Sequence, residues 1–212
     1  MTAVTPAVSE RYSCMDRESE LELVERLKAG DAAAFDVVYH EFNTRLFSFL
    51  ARLTRNRERA EDLLEETWLR LVTHAGRLRP DTRLGPWLFT VARNLHVSYC
   101  RSRMLEESHS EAGVGLWPVA STSSPFEQTA GNELEARFEA GLAALPPIYR
   151  EVLLLVAVEG LEPSEAAGIC GVTAPALRQR LKRARDLLAQ HMERTRTTRA
   201  RADRMQNDRV AV

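Results

Sequence analysis

The sequence predicts an all-α protein of two small helical domains, joined by a flexible acidic linker, with a helix-turn-helix in the C-terminal domain. Apolar residues recur at three- and four-residue intervals through most of the chain, which is the spacing of one face of an α-helix. No segment shows a convincing β-hairpin or a repeated strand pattern. The run VLLLVAV alone is compatible with a buried strand, but the capping residues and flanking helices favour a helix.

The length and charge of the chain fit this organisation. With 212 residues, the chain can form two small domains with cores of their own. The formal net charge of -1 hides an uneven distribution, since residues 178–209 hold eleven basic and only four acidic residues. We therefore expect a basic, DNA-binding end on a more acidic body, with an affinity for nucleic acid that falls strongly as salt rises.

Several functional classes are disfavoured. No apolar stretch approaches the roughly 20 residues that cross a bilayer, and the N-terminus lacks the layout of a signal peptide, so we expect a cytoplasmic protein without membrane insertion. Cys14, Cys100 and Cys170 form no CxxC pair, which favours reduced thiols over a disulfide framework or a zinc site. No phosphate loop or nucleophile motif is present, so no catalytic residue, cofactor or metal is predicted and an enzyme is the least favoured alternative.

The first half begins with a predicted flexible leader, residues 1–19, and a short helix from Glu20 to Ala29 that ends at Gly30. Asp31 can cap a long second helix, which is predicted from apolar residues at helical spacing between Phe35 and Leu53. This second helix should form one wall of the core.

A third helix is predicted from about Glu58 to His74, and a loop, RLRPDTRLG, follows it. The fourth helix should run from about Pro86 to Arg103, with Trp87 on its buried side. Together these elements predict a first domain over residues 20–104. The polar residues left for contact on the fourth helix are Arg93, Asn94, His96, Arg101 and Arg103.

The middle of the chain changes composition. Residues 105–131 contain no Lys or Arg, several glutamates and a Gly/Ser/Thr/Pro-rich stretch, and they are predicted to be the linker. The second domain is predicted over residues 132–192. Residues 193–212 are polar, basic and without core positions, which predicts a disordered tail.

The end of the second domain has the pattern of a helix-turn-helix. Pro163 fits a first helical turn, Gly171 breaks the helix, and Thr173 can cap the next one. Arg and Gln can bond base edges bidentately in a major groove, whereas Lys mainly supplies charge. An ordinary solvated helix face is the competing interpretation, but the basic residues between 178 and 185 have no acid among them, which favours DNA. The predicted base-reading residues are Arg178, Gln179, Lys182 and Arg183.

Two helical halves, an acidic linker and a terminal helix-turn-helix resemble the bacterial RNA polymerase sigma factors of the extracytoplasmic-function (ECF) group. Three segments carry the resemblance, which spans roughly Glu20 to Met192: RNRERAEDLLEETWLRL, WLFTVARNL and LPPIYREVLLLVAVEGLEPSEAAGICGVTAPALRQRLKRAR. In this order and spacing the three segments are far more specific than any one of them alone.

The resemblance implies a role for each segment. In the first, Asp62, Glu65 and Glu66 are expected to dock on a basic coiled coil of the polymerase β′ clamp, with the β subunit as a further partner. Because exposed ion pairs contribute only about 0.2–1 kcal/mol each, apolar contacts must add to this interface. In the third, the four base-reading residues are expected to read the minus-thirty-five element of promoter DNA as duplex.

In the second segment, Asn94 is expected near the minus-ten element, and residues 77–85 are expected to form a pocket for an extruded base. The full predicted minus-ten set is Arg79, Arg83, Arg93, Asn94 and Arg101.

The resemblance also implies an anti-sigma factor that holds the protein inactive by covering both domains. Two alternatives stay open at this point. One is a decoy that mimics a sigma factor and sequesters an anti-sigma factor, and the other is a stand-alone helix-turn-helix regulator that binds paired half-sites as a dimer.

Overall fold

The computed structural model describes the backbone of residues 16–109 and 133–210, and the side chains of residues 16–105 and 133–196. The first domain contains four helices and the second contains another four, and no strand occurs within these ranges, so the predicted all-α class is confirmed. The helices are α1 (Arg17–Lys28), α2 (Ala32–Thr54), α3 (Arg57–His74), α4 (Leu84–His109), α5 (Glu133–Ala144), α6 (Pro147–Leu153), α7 (Pro163–Cys170) and α8 (Ala174–Val210).

Side-chain caps fix where the first three helices begin. Asp16 accepts a hydrogen bond from Ser19 N at 3.0 Å, and Asp31 accepts one from Ala33 N at 2.8 Å, as expected for N-cap residues. The Asp16 cap starts α1 at Arg17, so the predicted leader 1–19 overlaps the first turn of this helix. Residues 1–15 lie outside the described range.

The fourth helix is longer than its predicted span, 86–103. It runs from Leu84 to His109 and so enters the predicted linker, because the residues after Arg103 are strong helix formers that extend an existing helix at little cost. The rest of the predicted linker, with Trp117 and Phe126, lies outside the described residues.

The core of the first domain lies between α2, α3 and α4. Phe49 and Phe89 pack edge to face with their ring centroids 5.3 Å apart, and both side chains are fully buried. Trp68 is buried, and its indole Nε1 donates to Asn43 Oδ1 at 3.0 Å. Helix α1 packs on this bundle and holds the loop before α4, since Glu20 accepts a bond from Leu84 N at 2.7 Å.

In the second domain, helices α5 and α6 are tied together by Arg150, a buried guanidinium that sequence analysis did not identify. Arg150 donates to the carbonyl oxygens of Leu142 at 2.9 Å, Ala143 at 2.7 Å and Leu145 at 2.9 Å. These are carbonyls of the last turn of α5 and the residue after it, where a helix leaves acceptors without intrahelical donors. Leu142 O also accepts a hydrogen bond from the backbone N–H of Leu145 at 3.1 Å. Arg150 thus acts as the cap of this helix.

A π-helical segment, Leu154–Val158, continues from α6. Its hydrogen bond from Glu159 N to Leu154 O, at 2.8 Å, spans five residues rather than four. This segment matches the apolar run VLLLVAV, so the helical interpretation of that run is correct and the strand is excluded.

The long last helix packs its first half against α5, α6 and α7. At Gly141 the helices cross so closely that an added Cβ would lie 2.7 Å from Leu188 Cδ1. The helix then continues to Val210, whereas residues 193–212 were predicted to be disordered. Arg, Ala and Met are good helix formers, and a helix that is already nucleated by packing extends without a new nucleation cost.

The two domains are in direct contact. Helix α4 of the first domain packs along α7 of the second, and α2 approaches α6. As a result, the apolar residues of both domains join in one cluster.

Candidate nucleic-acid interface

The helix-turn-helix forms as the sequence predicts. Helix α7 begins with Pro163 and ends at Gly171, which adopts the left-handed conformation with φ 65°. Thr173 Oγ1 then accepts a hydrogen bond from Ala176 N at 3.4 Å at the start of α8. The turn therefore sets α8 as the second, recognition helix of the motif.

The buried and exposed faces of this helix divide as expected. Leu177, Leu181 and Ala184 are buried against the rest of the domain. The four predicted base-reading residues, Arg178, Gln179, Lys182 and Arg183, are all exposed on the opposite face. Gln179, Lys182 and Arg183 also line one shallow groove. Such a row of donors on an exposed helix can enter a major groove and bond base edges.

The acidic residues of α3 lie on the surface of the first domain. Glu65 is exposed, Asp62 is exposed beside Arg59 with its Oδ2 2.9 Å from Nη1, and Glu66 is half-buried with its Oε1 2.8 Å from Nε of Arg70. These pairs are local to the helix and exposed, so they leave the carboxylates accessible to a partner at little cost.

Next to these carboxylates lie two apolar residues that sequence analysis missed. Leu69 is 55% exposed and Val72 is 58% exposed, on the turns of α3 that follow Glu65. Neither residue falls in the helical repeat of the buried residues Leu63, Trp68 and Leu71. An apolar residue outside that repeat must face solvent, so the sequence pattern alone could have identified both. Acidic and apolar residues therefore share one exposed face of α3, as a protein interface requires.

The predicted minus-ten residues lie on α4 and on the loop before it. Asn94 is exposed and lines a cleft of about 320 Å³ together with Arg70, His74 and Trp87. Trp87 packs against the core, as predicted from the apolar period, but it is half-buried and its remaining surface borders this cleft.

The remaining minus-ten residues differ in how accessible they are. Arg101 is exposed on α4, and Arg79 is exposed in the loop with its Nε 3.1 Å from Asp81 Oδ1. By contrast, Arg93 Nε donates to Glu151 at 2.7 Å, and Arg83 forms an ion pair with Glu165. Both glutamates belong to the second domain, so the structure does not present all five residues as one open surface.

His96, for which the sequence allows either base contact or a partly buried position on the helix, is buried. It is 6% exposed, and its Nε2 lies 3.5 Å from Cys100 Sγ. Burial, and then the positive charges of Arg150 and Arg93, lower the pKa of His96 to about 4. The imidazole is therefore neutral at physiological pH and makes no contact that DNA could use.

Two of the three cysteines are buried free thiols. Burial raises the pKa of Cys100, and burial followed by the charge of Glu151 raises the pKa of Cys170 to about 12. A thiol that stays protonated is a poor nucleophile, so both side chains behave as small core residues. Cys14 lies outside the described residues.

No group of three or more metal-ligating side chains occurs among the residues that the structure describes. Within the same residues, no helix is both long enough and apolar enough to span a membrane.

Comparison with known families matches both domains. The family model of Sigma-70 region 2 matches residues 38–105, and that of Sigma-70, region 4 matches residues 135–188. The first match covers α3 and most of α2 and α4. The second covers the helix-turn-helix and the helices that pack on it.

Individual relatives give the same result. The ECF RNA polymerase sigma factor EcfG of Rhodopseudomonas palustris is 38% identical over 144 residues, which are 68% of this chain and 77% of the relative. The RNA polymerase sigma factor CarQ of Myxococcus xanthus is 32% identical over 160 residues, 76% of this chain and 90% of the relative. Among solved structures, the sigma factor RpoE of Bartonella quintana in complex with the anti-sigma factor NepR is similar with a TM-score of 0.58 and 25% identity, covering 83% of this chain and 95% of that one.

Proposed function

Because this chain belongs to the ECF subfamily of bacterial RNA polymerase sigma factors, we propose that it binds core RNA polymerase, directs it to a restricted set of promoters and helps to open the DNA. The observation that carries this proposal is the exposed row of base-reading side chains on the recognition helix, Arg178, Gln179, Lys182 and Arg183. A decoy that only captures another protein has no need for such a surface.

We assign duplex reading to the second domain, residues 132–192. Each bidentate contact of Arg or Gln with a base is worth about 1–3 kcal/mol of discrimination, which is enough to choose a minus-thirty-five element without tight overall binding.

We assign polymerase binding and minus-ten capture to the first domain, residues 20–104. The exposed α3 face offers Asp62, Glu65 and Glu66 to the basic coiled coil of the β′ clamp, and Leu69 and Val72 supply apolar contacts beside them.

We place the unpaired base in the cleft beside Asn94, although the loop of residues 77–85, where the pocket was predicted, does not line this cleft. An extruded base exposes its Watson–Crick edge, which a side-chain amide can read. The arginines Arg79, Arg83, Arg93 and Arg101 can follow the phosphates of the strand.

The factor itself performs no covalent chemistry in this proposal. Polymerase supplies the metal-dependent catalysis, so this chain needs no cofactor, and it works in the cytoplasm, where polymerase acts on DNA. An anti-sigma factor is its regulator, and the likeness to a sigma factor that was solved together with NepR supports this part of the proposal.

The test is transcription from fragmented genomic DNA by core RNA polymerase, with and without the protein, followed by mapping of the 5′ ends. We expect new start sites that share two upstream sequence motifs. A variant with Arg178→Ala and Gln179→Ala should lose these starts. Arg196→Ala is the matched control, because it removes an exposed positive charge from the same helix about 27 Å farther along.

An absence of new starts, with folded protein and active core enzyme, would overturn the proposal and favour the decoy or the stand-alone regulator. Starts that persist unchanged in the double variant would exclude the recognition helix as the base-reading element.

A further inference from the structure

The first turn of α1 holds the loop before α4 from 64 or 65 positions away in the chain. Arg17 Nη2 donates to the carbonyl oxygen of Asp81 at 2.8 Å, and Nη1 donates to that of Thr82 at 3.4 Å. Glu20 Oε1 accepts a hydrogen bond from the backbone N–H of Leu84 at 2.7 Å. We name Arg17 and Glu20 the loop clasp.

The two clasp residues also bind each other. Arg17 Nη1 lies 2.6 Å from Glu20 Oε2, which leaves Oε1 to the backbone of Leu84. Glu20 is only 8% exposed, and burial of a carboxylate is costly unless the charge is paired and its oxygens are hydrogen-bonded. Both oxygens of Glu20 meet a donor here. The clasp is therefore a specific contact rather than a chance meeting of surface side chains.

Glu20 lies at a helix end that needs an acceptor. Leu84 is the first residue of α4, and the N–H groups of a first helical turn have no intrahelical partner. The partial positive charge at that end also favours a carboxylate. Because Leu84 is fully buried, water cannot take the place of this bond. Glu20 thus caps α4 from another helix and fixes the point where the loop ends.

The loop that the clasp holds, residues 78–83, carries two arginines of the predicted minus-ten set. Arg79 and Arg83 are both exposed. Thr82 N donates to Arg79 O at 3.0 Å and closes a turn, and the carbonyls that Arg17 binds belong to the last two residues before Arg83. The clasp therefore acts on the backbone from which both side chains project.

Without the clasp, the ends of the loop would stay fixed and its middle would not. Leu78 and Leu84 are buried at the two ends, whereas Arg79, Pro80 and Asp81 between them are exposed. Ordering of exposed residues when a ligand binds costs conformational entropy, which reduces affinity unless the residues are held beforehand. The clasp removes this cost before DNA arrives.

We propose that Arg17 and Glu20 are positioning residues for minus-ten capture, because the clasp holds Arg79 and Arg83 ready for the phosphates of the unpaired strand. This inference rests on the proposed function and extends its minus-ten site to α1. Neither clasp residue needs to touch DNA. The sign of the effect at Glu20 tests this: removal of a carboxylate near phosphates should strengthen binding by charge alone, whereas loss of the clasp should weaken capture.

The first experiment measures the loop in the full-length factor alone, without polymerase or DNA. Hydrogen–deuterium exchange is followed by mass spectrometry in the peptide that contains the loop and Leu84. We expect exchange about tenfold faster in Glu20→Met, which fills similar space but offers no carboxylate or amide oxygen. Glu20→Gln keeps an oxygen acceptor for Leu84 N and should stay near the parent chain. The matched control is Glu22→Gln, whose side chain is 73% exposed on the same helix and which should change nothing.

The second experiment follows DNA capture by core polymerase bound to the factor. The template is the strongest promoter found in the transcription test, with one 2-aminopurine in its minus-ten motif, so that fluorescence rises when this base leaves the stack. The polymerase concentration for half-maximal rate reports initial duplex binding, and the rate at saturation reports capture. We expect Glu20→Met and Arg17→Ala to lower the saturating rate about tenfold and to change the half-maximal concentration by less than about twofold, since duplex reading belongs to the second domain.

Conservative variants separate positioning from a general loss of stability. Glu20→Gln should recover most of the saturating rate, although it removes the same charge as Glu20→Met. Lys28→Ala is the control for Arg17→Ala, because it removes a cation of α1 that pairs with Glu25 of the same helix at 2.9 Å. A loss of folded protein would lower the amplitude of the fluorescence signal and not the rate at saturation.

A saturating rate in Glu20→Met that equals or exceeds the parent rate would overturn the proposal, as would unchanged exchange of the loop. The two proposals fail separately. A parent chain that gives no transcripts with core polymerase would overturn the proposed function, whatever the exchange result. A parent chain that directs transcription, and whose clasp variants capture DNA at the parent rate, would overturn the clasp alone.

Discussion

Arg150 offers the most direct test of how the second domain is held together. The side chain is 6% exposed, and its three short bonds reach carbonyl oxygens of Leu142, Ala143 and Leu145, at the end of α5. Replacing Arg150 with methionine fills much of the same volume and leaves no buried charge, but it removes the side-chain donor from all three carbonyls, of which Leu142 O keeps the backbone N–H of Leu145 at 3.1 Å.

The expected cost follows from those bonds. Hydrogen bonds to a charged group contribute about 1.5–3 kcal/mol each, and an unsatisfied buried acceptor costs about 1–3 kcal/mol. Methionine recovers part of this through apolar burial, so we expect the free energy of unfolding to fall by about 3–5 kcal/mol. Against a typical total of about 5–15 kcal/mol, this change removes a large fraction of the stability.

Urea unfolding followed by two signals can locate the loss. Far-UV circular dichroism reports both domains. Two of the three tryptophans, Trp68 and Trp87, lie in the first domain, so the fluorescence of a chain with Trp117→Phe reports on that part. For Arg150→Met, we expect the dichroism midpoint to fall by roughly 1–5 M urea, given slopes of about 1–3 kcal/mol/M. Arg178→Met is the matched control, since it makes the same substitution at an exposed position of the same domain and should cost less than about 0.5 kcal/mol.

A loss below about 1 kcal/mol for Arg150→Met would refute the reasoning, because it would mean that the carbonyls find other donors. A loss that appears equally in the tryptophan signal would instead place Arg150 at the domain interface, where its Nη1 also approaches the carbonyl oxygens of Arg52 and Leu53 at 3.4 and 3.5 Å.

Three further predictions concern pH, packing and polymerase. The pKa of His96 falls from 6.5 to about 4, so the unfolded chain binds a proton that the folded one does not, and unfolding becomes easier by up to about 3 kcal/mol as pH drops from 6.5 to 4. Burial raises the pKa of Glu159 from 4.5 to about 7 despite Arg45, which gives the opposite slope between pH 7 and 4.5. Between pH 6.5 and 4.5, the His96→Gln chain keeps only the effect of Glu159, so its free energy of unfolding should rise as pH falls. The Glu159→Gln chain keeps only the effect of His96, so its free energy of unfolding should fall. Parallel pH profiles of the two variants in urea titrations would contradict both assignments. Gly141→Ala should lower the melting temperature by an amount equivalent to about 1–2 kcal/mol, because its Cβ meets Leu188, while Gly168→Ala, which has open space around it, should raise it slightly; equal shifts would exclude the close helix crossing. Glu65→Lys should weaken binding of labelled protein to core polymerase several-fold, with Glu22→Lys as the exposed control on α1, and equal affinities would remove the α3 face from the interface.

Much of the fold was predictable because its signals are local. Gly171, Thr173 and the apolar spacing of Leu177 and Leu181 lie within eleven residues of one another, and together they define the turn and the buried face of the recognition helix. The helices of the first domain are predicted by the same short-range repeat of apolar residues. The exposure of the predicted base-reading row is a direct consequence of that period.

The remaining features depend on residues far apart in the chain. Nothing near Arg93 indicates that its partner is Glu151, 58 positions away, and the same spacing of charges would suit a free DNA-binding face. The burial of His96 and of Arg150 likewise depends on how the domains pack. The tail was mispredicted for a different reason, because its polarity indicates no core, while its helix propensity and continuity with a packed helix decide its backbone conformation.

The π-helical segment Leu154–Val158 has an evolutionary consequence. It accommodates one residue more than an α-helical path of the same span, so loss of a single residue would turn everything after it by about 100°. Glu159, the next residue, would then leave the side that meets Arg45. We expect the segment to have arisen as a one-residue insertion, so that members of the lineage with an uninterrupted helix show a single gap in alignment here and have no acidic partner for this arginine.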